Sequence, residues 1–137
     1  MNNETREISP DQPHIFWLTR LGVEAASRGK GVAFLDEVST LIWGSGVDGW
    51  HEGDHLAQAT TRAGLDLEDM RQSIAGNEDK LDDIIATNQK DLEAAGHWGV
   101  PTLVVDDEPF FGQDRVEMVL WRMKKLGLKK RDCQFVI

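Results

Sequence analysis

The amino-acid sequence predicts a mainly helical α+β protein with one small β-hairpin. Apolar residues recur at helical spacing through most of the chain, and a single β-branched run, Thr102–Val105, is followed by a turn and a second apolar run. Glycines stand at the ends of the helical segments, where helices commonly stop. A length of 137 residues allows one compact domain and not two full ones.

Five helices are predicted before the hairpin. Their starts are indicated by capping residues or by the first residue of an apolar stripe, and their ends by glycines. Ser9 is the expected N-cap of the first helix, with Pro10 at the first helical position. In chain order, the helices lie between Ser9 and Gly29, Phe34 and Gly44, Asp54 and Gly64, Asp66 and Gly76, and Glu78 and Gly96.

The hairpin separates the longest predicted helix from the last one. Thr102–Val105 and Pro109–Gly112 are expected to pair antiparallel around the turn Asp106–Glu108. The two flanking helices, Glu78–Ala95 and the segment from Gln113 to Gly127, each carry an apolar stripe, and the stripe of the first is expected to face inward. The stripes are Leu81, Ile84, Ile85, Asn88 and Leu92 in the first helix, and Val116, Val119, Leu120 and Met123 in the second.

Composition argues against several classes of function and location. The chain has 15 basic and 24 acidic residues, a formal net charge of −9, so a surface for nucleic acid or anionic membrane is not expected. The single cysteine, Cys133, excludes an internal disulfide and a Cys-x-x-Cys pair and fits a reducing compartment. Neither a signal region nor an apolar run of the ~20 residues of a membrane span is visible. A soluble, cytoplasmic protein is therefore expected.

One motif matches a zinc-protease pattern letter for letter. His51-Glu52-Gly53-Asp54-His55 fits H-E-x-x-H, which requires both histidines on one face of a helix. Gly53 disfavours a helix interior by ~1 kcal/mol, and Asp54 is better suited to a helix cap than to a helix interior. We therefore predict a loop followed by a helix start, without a metal site.

Two other features leave alternatives open. Basic residues near Cys133 favour its thiolate, although a lone cysteine near a chain end is more often incidental. The five tryptophans could line an aromatic ligand pocket, but in a small domain they more often cover the core. They are Trp17, Trp43, Trp50, Trp98 and Trp121.

The segment Gly96–Val105 carries the main functional signal. Pro101 stands directly before a β run, which places it at the first position of a strand or at a bulge. Gly99 lets the backbone approach another group closely. A cis Val100–Pro101 bond would leave the Val100 main chain free to pair with an extended, peptide-like ligand. On the residues alone, a purely structural strand start is equally open.

These residues also carry a resemblance to a known family. Gly99-Val100-Pro101-Thr102, followed after the hairpin by Phe110-Phe111-Gly112-Gln113-Asp114-Arg115, resembles the end of the 2-hydroxychromene-2-carboxylate isomerases. That family is related to kappa-class glutathione transferases and to DsbA-type disulfide oxidoreductases, and the resemblance covers about residues 14–125. It implies a DsbA-type helical domain joined to a partial thioredoxin-like fold. The implied division is a polar segment 1–10, a helical domain 11–97, a ββα part 98–127 and a tail 128–137.

The resemblance implies a glutathione site and a role for five residues. Val100 would offer its backbone to the cysteinyl part of glutathione beside a cis Pro101. Gln113 and Asp114 would meet the γ-glutamyl end, where N–H groups at a helix start hold a carboxylate and Asp114 pairs with the ammonium. Arg115 would be a structural or ligand-side cation.

The implied activity is the glutathione-dependent isomerisation of a small aromatic-derived acid. The family's Ser- or Cys-bearing amino-terminal unit should precede the helical domain, and this sequence begins at that domain, so a truncated chain with no assigned catalytic residue is expected. Two alternatives remain open: a non-catalytic binding or interaction module, and a relative of the protein-disulfide oxidoreductases. A further expectation is that the open edge of the strand from Thr102 is paired in a homodimer or by the tail Gln134–Ile137.

Overall fold

The computed structural model describes residues 13–130, which form six α-helices and a two-stranded antiparallel sheet. The predicted mainly helical α+β class is confirmed. The chain divides between Ala86 and Thr87 into two compact units, and the domain boundaries drawn from the sequence stay a prediction. The predicted helix start at Ser9–Gln12, Cys133 and the tail Gln134–Ile137 lie outside the described residues.

The described part of the first unit contains helices and connecting loops, and no strand. A π-helical turn, Thr40–Gly44, continues the second helix directly. Glycines with positive φ follow four of the five helices that begin in this unit, as the sequence predicts: Gly29, Gly64, Gly76 and Gly96. The helices are α1 (Pro13–Ser27), α2 (Gly31–Ser39), α3 (His55–Arg62), α4 (Leu67–Ile74) and α5 (Glu78–Ala94), the last of which runs on into the second unit.

The core of the first unit is built from apolar side chains of α1–α4 and of the turns that follow α2 and α3, together with one residue of α5. α1 packs against α2 and α4, and α2 packs against α3. Fully burying a large aliphatic side chain contributes roughly 1.5–3 kcal/mol, so this cluster is the main source of the unit's stability. Its members are Leu21, Ala25, Phe34, Val38, Leu41, Leu56, Ala59, Ala63, Leu67, Met70, Ile74 and Leu81.

The second unit contains the hairpin and the last helix. Strand β1 (Thr102–Val105) pairs with β2 (Glu108–Phe111), so that Leu103 lies opposite Phe110. Asp106 and Asp107 both have positive φ, 52° and 62°, which is the backbone of a two-residue type I′ turn. A 3-10 turn, Gln113–Arg115, then leads into α6 (Val116–Lys125).

The apolar stripe of α5 was expected to face inward, but most of it is not buried, and the same holds for the apolar stripe of α6. In α5 only Leu81 is buried, while Ile84 and Asn88 are exposed. In α6 only Val119 is buried, while Val116 and Leu120 are exposed. The reason is the small surface available: α5 shares no extensive packing with another described element, and α6 packs against two strands of four residues each.

The tryptophans correct a second expectation. Trp17 and Trp50 are half-buried against the core of the first unit, as covering residues should be. Trp43, Trp98 and Trp121 are mostly exposed. Helical spacing therefore identified the aliphatic core better than aromatic content did.

Candidate functional site

The candidate site lies in the second unit, on the loop that leads into β1. The Val100–Pro101 peptide bond is cis, as the sequence predicted. The side chain of Val100 is 78% exposed. Within residues 13–130, no hydrogen bond uses the main-chain N–H or C=O of Val100. Both groups are therefore available to a ligand that approaches in an extended conformation.

Gly99, the residue before Val100, is held on both of its main-chain groups. Its N–H donates to Nδ1 of His97 at 2.8 Å, and its C=O accepts from Oγ1 of Thr102 at 2.5 Å. A Cβ atom at position 99 would lie 2.5 Å from Cε2 of Phe111, so only glycine fits beside this ring. The Gly99 peptide is consequently fixed from three sides.

A pair of stacked rings connects the loop to the end of β2. The rings of His97 and Phe111 are nearly parallel, with centroids 4.0 Å apart and an interplanar angle of 13°. The ring of Trp98 also stacks with His97, at 5.6 Å and 21°. Phe111 is 45% exposed, so the stack forms part of the surface around Val100.

The carbonyl of Pro101 joins the loop to the start of the last helix. It accepts a hydrogen bond from the N–H of Gly112 at 2.9 Å. Gly112 has φ 101°, a backbone conformation that strains residues with a Cβ atom, so this position also favours glycine. The bond brings the predicted site residues Val100 and Pro101 to the same end of the hairpin as Gln113–Arg115.

The charged residues of this site are solvent-exposed. Asp114 Oδ2 lies 3.6 Å from Nε of Arg115, and Nη1 of Arg115 donates to the sulfur of Met118 at 3.4 Å. An exposed pair at this distance contributes little to stability, so both groups can change partner when a ligand arrives. The arrangement offers one carboxylate and one guanidinium next to an open main-chain pairing site.

A comparison with known protein families identifies the family of this chain. The model for the DSBA-like thioredoxin domain matches residues 19–124, which is more than half of the chain. The chain belongs to the DSBA-like thioredoxin domain family. Neither curated proteins nor solved structures gave a significant match. The superfamily that the sequence predicted is thus confirmed for this DSBA-like domain.

The H-E-x-x-H letters of the DSBA-like domain do not share one helix. His55 is the first residue of α3, whereas His51 precedes the helix and stacks on His14, with ring centroids 4.0 Å apart. Gly53 has φ 56°, and Asp54 occupies the N-cap position. No cluster of three or more histidine, cysteine, aspartate or glutamate side chains between residues 13 and 130 is arranged to hold a metal ion.

Two aromatic contacts of the DSBA-like domain were not predicted. The hydrogen bond from Gly99 N–H to the ring of His97 joins residues two positions apart. The only sequence feature that could have indicated it is the short Gly-His-Trp-Gly segment that contains both residues. The stack of His14 on His51 joins positions far apart in the chain and has no signal in the sequence. In the described part of the chain, no helix has the length and apolar character needed to cross a bilayer.

Proposed function

We propose that this DSBA-like domain binds glutathione at the Val100–Pro101 loop and serves a glutathione-dependent isomerase of the 2-hydroxychromene-2-carboxylate type. The observation that carries the proposal is the hydrogen bond from Gly112 N–H to the Pro101 carbonyl. Because of it, an open main-chain site at Val100 and the charged pair Asp114–Arg115 stand at one end of the hairpin.

The cysteinyl part of glutathione is expected to pair with Val100. An extended peptide adds to free backbone groups through N–H···O=C bonds, and the N–H and C=O of Val100 are not used within residues 13–130. The neighbouring peptides are fixed by His97, Thr102 and Gly112. Little ordering of the loop is then needed on binding, which preserves affinity.

The γ-glutamyl end of glutathione carries one ammonium and one carboxylate. Asp114 is expected to pair with the ammonium, while Gln113, Arg115 and the N–H groups at the start of the last helix face the carboxylate. Bound glutathione supplies a thiol that adds transiently to the substrate and is released unchanged. The chain contributes one cysteine, Cys133, which favours this thiol over a cysteine pair as the sulfur nucleophile.

Binding is tested by titrating the ¹⁵N-labelled chain with reduced glutathione at millimolar concentrations and recording amide shifts. The amides of Val100 and Gln113–Arg115 should shift together. Cysteinylglycine, which lacks the γ-glutamyl group, should shift Val100 without shifting Asp114. Absence of any shift in residues 97–115 would refute the proposal.

The contribution of Asp114 is tested with a matched pair of variants. Asp114→Asn should weaken glutathione about fivefold, because one solvent-exposed ion pair with the ammonium is lost. Asp107→Asn makes the same chemical change at the opposite end of the hairpin, where positive φ suits asparagine, and should leave the affinity unchanged. Equal effects of the two variants would mean that only net charge matters.

Catalysis requires a separate measurement. Isomerisation of 2-hydroxychromene-2-carboxylate should be accelerated by the chain only when glutathione is present. Glutathione binding without acceleration would support the non-catalytic binding module instead. Acceleration without glutathione would contradict the proposed role of its thiol.

A further inference from the structure

We propose that His97 is a positioning residue whose neutral imidazole holds the Gly99 peptide, so that protonation of His97 releases the loop and weakens ligand binding at Val100. The inference rests on the proposed glutathione site for its ligand. The hydrogen bond on which it depends is a property of the free chain.

The hydrogen bond determines which form of the imidazole is present. Nδ1 of His97 accepts the N–H of Gly99 at 2.8 Å, and a ring nitrogen can accept only when it carries no proton. The proton of the neutral ring is therefore on Nε2. A protonated ring has N–H on both nitrogens, and its Nδ1–H would face the Gly99 N–H at the same distance. Protonation must break this contact.

The surroundings of the ring restrict its other options. The imidazole stacks with Trp98 on its own loop and with Phe111 on β2, and neither ring carries a titratable or charged group. Gly99, its hydrogen-bond partner, has none either. A half-turn of the ring about Cβ–Cγ would replace Nδ1 by a C–H group, and in the protonated ring the second nitrogen also carries a proton, so no orientation of the ring restores an acceptor. Protonation is therefore expected to move the Gly99 peptide instead.

Of the loop's three main-chain anchors, only His97 is of a residue type that can change its charge in the physiological pH range. The Gly99 carbonyl is held by the hydroxyl of Thr102, and the Pro101 carbonyl is held by the N–H of Gly112. Neither donor changes its charge in this range. The loop is therefore held at pH values where His97 is neutral, and it is released as the pH falls and the ring becomes protonated.

The first experiment uses the free protein and needs no ligand. The ring protons of His97 and the amides of Gly99 and Val100 are followed by NMR across the pH range, in wild type and in two variants. His97→Phe keeps an aromatic ring but has no acceptor, and His97→Asn keeps a short acceptor that does not titrate. The Gly99 amide should follow the His97 titration in wild type and should show no such step in either variant.

The second experiment measures glutathione affinity in the same three proteins. Wild type should weaken about fivefold as His97 becomes protonated, which corresponds to the loss of one neutral hydrogen bond. His97→Phe should be weakened to that level at every pH, and His97→Asn should restore most of the affinity and lose the pH step. Glutathione ionises in the same way in all three measurements, so its own ionisation does not contribute to the difference in affinity between the proteins.

Each outcome decides one of the two proposals. The positioning role would be overturned if the Gly99 amide shift did not change as His97 is protonated. It would also be overturned if His97→Asn kept the pH step of the wild type. A wild type that binds no glutathione but shows the linked titration would refute the proposed ligand and leave His97 as the anchor of the loop. His14→Phe alters the histidine stack of the first unit and should change neither readout.

Discussion

At the scale of single residues, two aspartates at the starts of helices behave differently. Asp66 has an extended backbone, φ −114° and ψ 122°, and its carboxylate accepts the N–H of Asp69 at 2.7 Å. Asp54 has ψ 6°, and its carboxylate accepts from the Gln58 side chain at 2.7 Å instead of capping the helix. The sequence predicted a cap at both positions. The backbone at the cap, which residue type does not determine, selects between the two bonds.

Replacing each aspartate by alanine should separate these roles. Asp66→Ala removes a true N-cap and should lower the free energy of unfolding by about 1 kcal/mol. Asp54→Ala removes only an exposed side-chain bond and should cost less than half as much. Urea unfolding of the three proteins measures both changes. Equal losses would show that the carboxylates act through the helix dipole alone.

Two glycines differ in the space around them. A Cβ at Gly22, within α1, would meet no atom within 4 Å, whereas a Cβ at Gly99 would lie 2.5 Å from Phe111. Gly22→Ala should therefore stabilise the protein by about 0.5–1 kcal/mol, because alanine loses less backbone entropy in a helix. Gly99→Ala should disturb the loop and abolish ligand shifts at Val100. Thermal unfolding checks the first variant and amide NMR the second, and a destabilised Gly22→Ala would contradict the space seen in α1.

At the scale of elements, an ion pair connects the first and the fifth helix. Arg20 donates from Nε and Nη2 to the two carboxylate oxygens of Asp82, at 2.7 and 2.6 Å. This hydrogen bonding, with a smaller contribution from the opposite charge, lowers the pKa of Asp82 and raises that of Arg20. Because the pKa of Asp82 is lowered by folding, the pair stabilises the folded state at pH values above the ordinary pKa of aspartate. This contribution is lost as the pH falls through the folded-state pKa.

The pair can be tested by NMR titration of the Asp82 carboxyl carbon. Arg20→Gln should move the pKa of Asp82 upward, toward the value of an ordinary aspartate, because the hydrogen bonds to the guanidinium are lost. Arg71→Gln removes another arginine of the first unit, one that lies 3.9 Å from Glu68, and serves as the control. An unchanged Asp82 pKa in Arg20→Gln would mean that the pair does not persist in solution.

The elements also show what the sequence can predict. Boundaries were predicted well because they depend on local chemistry, such as Asp66 at a cap and Gly96 after a helix. Burial along α5 was predicted poorly, because periodicity identifies a face and not the element that covers it. The candidate site residues Val100 and Gln113–Arg115 were predicted from motif letters, and that assignment stays a prediction. The contact of His97 was not predicted, since it depends on the distance to one backbone N–H.

At the scale of the whole molecule, the two-stranded sheet has two different outer edges. Val105 and Glu108 close a two-residue turn, so they form a hydrogen-bonded pair. Hydrogen-bonded and non-hydrogen-bonded pairs alternate along an antiparallel ladder, and the bond from Gly112 N–H to the Pro101 carbonyl agrees with this alternation. The main-chain groups of Thr102 and Val104 must then point away from β2. On the other strand, Pro109 has no N–H at the matching outward position.

The outer edge of β1 is therefore the one suited to pairing. The strand carries no charged residue, and Val104 is 46% exposed. Natural proteins usually protect such an edge with charges, proline or a bulge. About a two-fold axis at Leu103, Thr102 of one copy lies opposite Val104 of the other, so the outward N–H and C=O groups match without bringing like charges together.

We expect a homodimer that forms through β1, and sedimentation of the full chain tests this. Val104→Lys places a charge on the pairing edge and should shift the protein to monomer, whereas Val116→Lys, on α6, makes the same change at another exposed valine and should not. A version that ends at Lys130 should remain a dimer, because the contact requires only β1.

Two outcomes would contradict this expectation. If the full chain is monomeric and the shortened version dimerises, residues 131–137 occupy the edge instead. Monomers in both, with equal melting temperatures, would mean that the edge stays unpaired, and the absence of charge on β1 would then need another explanation.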